Sequence, residues 1–252
     1  PVAPAPAPTP VAAAQPLPPD PAVSSGRLDN GLSYYIRRHD EPRQRAELRL
    51  AVNAGSVLED DDQRGLAHFV EHMAFNGTEN FARQELVDYL ESIGMRFGAD
   101  LNAYTSFDET VYMLTVPTDD PELLATGVTI LSEWAARISF EGEEIDKERG
   151  VVIEEWRLGR GARARIFDQQ APVIFHDSRY AERLPIGDKE ILESAPHDTL
   201  RRFYRDWYRP DLMAVVAVGD FDPAVVEGLI RGSFGGIAPA TGPRPRVAFP
   251  VP

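Results

Sequence analysis

The sequence contains no cysteine. Disulfides, thiolate metal sites and a cysteine nucleophile are therefore excluded, and any metal must be held by histidine and carboxylate side chains. Positive charge is scarce as well. Against 40 Asp and Glu stand 26 Lys and Arg, a net charge of −14. A phosphate backbone selects for basic excess, so nucleic acid is not an expected partner. No apolar run reaches the ~18 residues that a membrane-spanning helix needs. Histidine is sparse too, with five in 252 residues. The rest is ordinary: 43% hydrophobic and 26% charged residues are typical of a globular chain long enough to bury a real core.

Proline is the one residue type in local excess. Nine of the 22 prolines fall in Pro1–Val23, interleaved with alanine. Residues 1–24 accordingly read as an extended Pro/Ala-rich linker. Such a stretch commonly follows a cleaved signal peptide, so an exported, periplasmic location is the expectation. A regular pattern begins at Gly26. Asp29-Asn30-Gly31 is a turn signal, and alternation predicts strands over Leu32–Arg38 and Ala46–Ala54. A strand pair is expected at Ala99–Thr105 and Thr110–Val116, and a buried strand at Met213–Val218. Helical spacing covers Gly65–Asn76, Arg83–Ile93, Pro121–Ile138, Glu143–Trp156, Arg163–Phe175, Asp198–Tyr208 and Pro223–Ile230. Strand pairs followed by runs of helices give an α+β class: a mostly antiparallel sheet with helices packed on one face. Residues 25–237 form the expected domain, and the Pro/Gly-rich residues 238–252 the exit linker.

One segment carries chemistry: His68-Phe69-Val70-Glu71-His72, inside a predicted helix. His68 and His72 are four residues apart and project from one face, the spacing with which two imidazoles reach one metal ion. Glu71 lies near that face and can accept a proton from a metal-activated water. A surface or core role is the plain alternative for two such histidines. His39, His176 and His197 fall in loops or near helix ends, where a surface role is expected. A catalytic zinc needs a third protein ligand. The helix Glu143–Trp156 offers Glu148, Glu154 and Glu155; Glu148 and Glu155 share a face with Val151 and Val152, which should point inward. Glu141, Glu143 and Glu144 read as a solvated acidic side.

Taken together, these blocks resemble the pitrilysin/insulinase family of zinc metallopeptidases, which carry the inverted H-x-x-E-H motif. Gly65–Thr78 resembles the family's metal helix and the turn after it. Asn102-Ala103-Tyr104-Thr105-Ser106 resembles its substrate-binding edge strand, and Glu148–Glu155 its helix with the third ligand. Asn30-Gly31-Leu32 and Val218-Gly219-Asp220-Phe221 match the domain's limits. The likeness spans about residues 25–235 and is nearest to the mitochondrial processing peptidase β type and to bacterial periplasmic members.

The resemblance implies that His68, His72 and Glu155 bind one zinc, with Glu154 as the alternative third ligand. It makes Glu71 the general base and Glu148 an acid that supports the site. Asn102 and Ala103 would bind substrate. The His72–Glu155 spacing exceeds the family's usual one, with the surplus near Arg96–Asp100. Members of the family close two halves around a peptide, so a second homologous half or a partner subunit is implied as well. The leading expectation is a zinc endopeptidase domain acting on extended or unfolded peptides. A peptide-binding or assembly module of the same fold, and a zinc-stabilised fold without turnover, are the alternatives.

Overall fold

Apolar alternation sets the sheet. In β3 (Arg45–Val52), Ala46, Leu48, Leu50 and Val52 are buried while Arg45, Glu47 and Arg49 face solvent. One face of the strand must therefore be covered and the other is left open. The other strands are β1 (Val23–Arg27), β2 (Ser33–Arg38), β4 (Leu101–Thr105), β5 (Thr110–Pro117) and β6 (Met213–Gly219). The structure, a computed structural model, describes residues 18, 20–82, 86, 98 and 101–250. The six strands run in the order β1-β2-β6-β3-β5-β4. The last strand in the chain, β6, inserts between β2 and β3, parallel to β2 and antiparallel to β3; the remaining pairs are antiparallel. β4 is thereby left at the sheet's edge.

Seven helices occur among the described residues: α1 (Leu66–Met73), α2 (Pro121–Ala136), α3 (Gly142–Leu158), α4 (Ala162–Ile174), α5 (Lys189–Ser194), α6 (His197–Trp207) and α7 (Pro223–Phe234). Their starts are legible chemically. Asp120, Asp188 and Asp222 each cap a helix by accepting a backbone N–H two residues on, and Pro121 and Pro223 follow two of these caps. α2 and α7 cover the buried sheet face, where Val128, Leu131, Trp134, Val226 and Ile230 meet the apolar side of the strands. α1 instead sits at the β4–β5 end, against β4, α3 and α6. Among the described residues, no helix is long and apolar enough to cross a membrane.

Several expectations change. β1 was not anticipated, because Val-Ser-Ser-Gly-Arg lacks alternating apolar residues; it is an exposed edge strand paired to β2. The six-residue α5 was likewise too short to show a period. The helix expected over Gly65–Asn76 is α1, which ends at Met73 rather than Asn76, whose Nδ2 donates to the His72 carbonyl. The helix expected over Arg83–Ile93 lies outside the described residues except for Leu86, which is buried, and of Arg96–Asp100 only Gly98 is described. Most of the Pro/Ala-rich leader also lies outside them. Residues 238–250 hold no helix or strand, yet arginines strap them down: Arg244 donates to Asp60 and Asp206, and Arg246 to the Asn53 carbonyl and Asp108.

One glycine pair positions the start of α1. Gly65 (φ 98°) and Gly187 (φ 77°) pack back to back, and a Cβ on Gly187 would lie 2.2 Å from the Gly65 Cα. Both the space and the left-handed backbone demand glycine. Gly187→Ala is expected to destabilise the protein by about 2 kcal/mol or more, as read from urea unfolding.

Candidate metal centre

α1 is held at both ends and along one side. The Glu59 carboxylate, fully buried, accepts the backbone N–H of Gly65 (3.0 Å) and of Ala67 (2.8 Å), placing an acid at the helix N-terminus. Burial pushes this carboxyl up to about 8, although the two amides pull it down. Leu66, Ala67, Phe69, Val70 and Met73 are buried and fix the helix face. His68, Glu71 and His72 then project together into a cleft of about 620 Å³, which Phe75, Pro185 and Ile186 wall with apolar surface.

The rings of His68 and His72 meet edge to face, with centroids 4.7 Å apart. From α3, Glu155 brings one oxygen to 3.8 Å from His68 Nε2 and the other to 3.3 Å from His72 Nε2. One donor atom from each of the three lies within 4.8 Å of the others, and this is the sole such group among the described residues. Glu148, two turns earlier on α3 and buried, places Oε1 2.8 Å from His72 Nδ1. Glu154 points elsewhere: it is exposed and ion-paired to Arg157 at 2.6 Å. The inward valine is Val152; Val151 is half exposed, because it lies off the Glu148–Val152–Glu155 face. The α3 helix is pinned by Arg149, whose guanidinium donates to the carbonyls of Leu192 and Ala195.

Electrostatics separates the two imidazoles. Burial, reinforced by the charge of His72, pushes His68 down to about 4, so it stays neutral with a lone pair to offer. Its Nδ1, on the side of the ring away from Glu155, is buried without a hydrogen-bond partner among the described residues. Burial pulls His72 down too, but hydrogen bonds to Glu148 and Glu155 outweigh it and raise the ring to about 9. Glu155 is lowered by its hydrogen bond from His72. Glu71 is raised by burial, although a hydrogen bond from Thr105 Oγ1 to its Oε2 (2.6 Å) offsets part of that.

These residues fit a divalent metal. Two imidazole nitrogens and one carboxylate make a three-ligand set that leaves a position open, the pattern of a catalytic zinc. Glu148 holds His72 Nδ1–H and so directs Nε2 toward the other donors, the usual arrangement around a ligand histidine. Without metal, His72 carries a proton between two carboxylates. A ligand imidazole must be neutral, so metal uptake displaces that proton. Below about pH 9, zinc titrated into the metal-free protein is expected to release about one proton, measured by calorimetry in buffers of differing ionisation enthalpy. Uptake should accordingly weaken as pH falls.

From the sheet's edge, Asn102, Ala103 and Thr105 of β4 line the same cleft. The Ala103 N–H is held by the Asn102 side chain at 2.9 Å. In the sequence, Thr105 and Arg149 have no role of their own, and Glu59–Asp62 reads as a solvated acidic loop, whereas the structure buries Glu59 completely. Thr105 stands within a quoted motif, but its bond to Glu71 depends on where β4 lies relative to α1.

Fold and donor set define a class: an α+β domain with a His–His–Glu centre and a further carboxylate beside it. Comparison with known proteins agrees. Residues 34–159 match the model for insulinase (peptidase family M16), and residues 194–252 match the peptidase M16 inactive domain. The chain belongs to the insulinase family, peptidase family M16. The second match does not mark a structural boundary, since it supplies β6, an inner strand of the same sheet. The chain is similar to a zinc protease PQQL-like protein of Arabidopsis thaliana (49% identity over 90% of the chain) and to the probable zinc protease PqqL of Escherichia coli (41% over 86%). It covers 24% and 23% of those proteins, so it spans about a quarter of the length of the curated relatives it matches. The crystal structure of the first half of the E. coli periplasmic protease PqqL superposes with a TM-score of 0.89 at 39% identity, covering 94% of this chain and 50% of that one.

Proposed function

We propose that this chain is the zinc-bearing domain of an endopeptidase that cuts extended or unfolded peptides, with His68, His72 and Glu155 as zinc ligands and Glu71 as general base. The observation that carries this reading is the convergence of three metal donors beside a buried carboxylate, Glu71, that stands outside the donor set. When bound, zinc supplies a Lewis acid that makes water nucleophilic at neutral pH and polarises a carbonyl. Glu71 takes up, on Oε1, the proton given up by the attacking water, and returns it to the departing amine. Its burial raises its proton affinity toward the working pH, which suits that exchange. Glu148 keeps the His72 ring in the tautomer with Nε2 free. Asn102 and Ala103 receive the peptide along the open edge of β4, where Asn102 must release the Ala103 N–H for pairing.

Residues 25–237 are read as the metal-bearing domain, with residues 1–24 leading in, apart from Val23 and Ser24 that open β1, and 238–252 leading out. A second homologous half or a partner subunit would cover the cleft, a reading supported by the far greater length of the relatives. A periplasmic location is supported by the E. coli relative, described as a periplasmic protease. The test is cleavage of a quenched, extended peptide by the full-length protein. Turnover abolished by a chelator and restored by zinc is expected. Peptide binding without cleavage would instead support the binding-module alternative.

A further inference from the structure

We infer that Thr105 is the positioning residue for the general base, and that it acts from the strand that receives the substrate. The inference rests on the peptidase reading above. Thr105 Oγ1 lies 2.6 Å from Glu71 Oε2. A hydroxyl has one proton to give. The other oxygen near it, Thr110 Oγ1 at 3.4 Å, is a weaker acceptor and donates its own proton to the Ala54 carbonyl at 3.0 Å. The Thr105 proton is therefore committed to the carboxylate, and a hydrogen bond to a charged acceptor is the strong kind.

The donor is held rigidly. Thr105 is β-branched, with few side-chain rotamers, and is paired in register with Thr110 on β5. Thr110 is fully buried and touches Tyr208, whose hydroxyl lies 2.8 Å from that of Tyr112. This packed wall stops the threonine from following the carboxylate if it swings. One Glu71 oxygen is thereby fixed and the other is left for the proton that moves. Thr105 also lies two residues beyond Ala103, so both face the same side of β4. A peptide paired to β4 docks on the element that aligns the base.

The test uses the full-length, zinc-loaded enzyme with Thr105→Val, Thr105→Ser and Glu71→Gln. Valine keeps the shape and β-branching and removes only the hydroxyl. Thr105→Val is expected to lower kcat by about 10- to 100-fold, with KM within about twofold and zinc content unchanged. Thr105→Ser should recover activity to within about threefold of the parent, a rescue that a purely structural role would not give. A crystal structure of Thr105→Val should show the Glu71 carboxylate moved from its place. Parent-like kcat in Thr105→Val, serine as poor as valine, or an unmoved carboxylate would each overturn the inference. Glu71→Gln separates the two levels. If it is inert while Thr105→Val is fully active, only the Thr105 inference fails; if it is fully active, the base assignment fails and the inference with it.

Discussion

Glu71→Gln in the full-length enzyme is expected to lower kcat by about 10²- to 10⁴-fold while zinc content stays at the parent level. The amide keeps the shape of the side chain, and its oxygen can still accept the Thr105 hydroxyl that now reaches Glu71 Oε2 at 2.6 Å. What it loses is a lone pair basic enough to take a proton from water. Glu71 is not among the three converging donors, so the metal should remain. Stopped hydrolysis with retained zinc, read by a peptide assay and elemental analysis on the same sample, isolates the proton-transfer role. Loss of zinc would make Glu71 a ligand instead, and unchanged turnover would remove it from the chemistry.

His68→Ala is the second large effect. It removes one of three protein ligands and the one that burial keeps neutral, with its ring pushed down to about 4. Zinc retained after dialysis is expected to fall from about one per chain to less than about a tenth of that. Circular dichroism should show the fold intact, because Phe69, Val70 and Met73 still anchor α1. His176→Ala is the matched control. That histidine is exposed, pairs with Asp177 at 3.1 Å and lies outside the donor group, so zinc content should not change. Equal zinc in His68→Ala and the parent would refute the ligand assignment.

The fold was legible wherever one side of an element is buried. β3 and β6 alternate cleanly, and the Asp-Pro pairs at 120–121 and 222–223 announce helix starts. β1 and α5 were not visible, because an exposed edge strand and a helix under two turns long leave no periodic trace. The two histidines and Glu71 could be read from spacing along one helix. The choice of Glu155 over Glu154 needed helix phase: in the structure one carboxylate reaches the histidines and the other pairs outward with Arg157. Spacing misplaced Val151, since neighbouring residues on a helix differ by about 100° and only Val152 shares the inner face with Glu148. Thr105 and Arg149 escaped because each acts through a partner distant in sequence, Thr105 on Glu71 and Arg149 on the carbonyls of Leu192 and Ala195, while Glu59, in a run of acidic residues that reads as solvated surface, turns inward onto the nearby amides of Gly65 and Ala67. Contacts of that kind leave no spacing pattern in one sequence.

The central claim is that one metal ion is held by His68, His72 and Glu155. Anomalous scattering collected above and below the zinc absorption edge, from crystals of the protein loaded with zinc, tests it directly. The account predicts one strong peak per chain, bounded by the Nε2 atoms of His68 and His72 and by the Glu155 carboxylate, and present only above the edge. No peak there, or a peak that excludes Glu155, would contradict it.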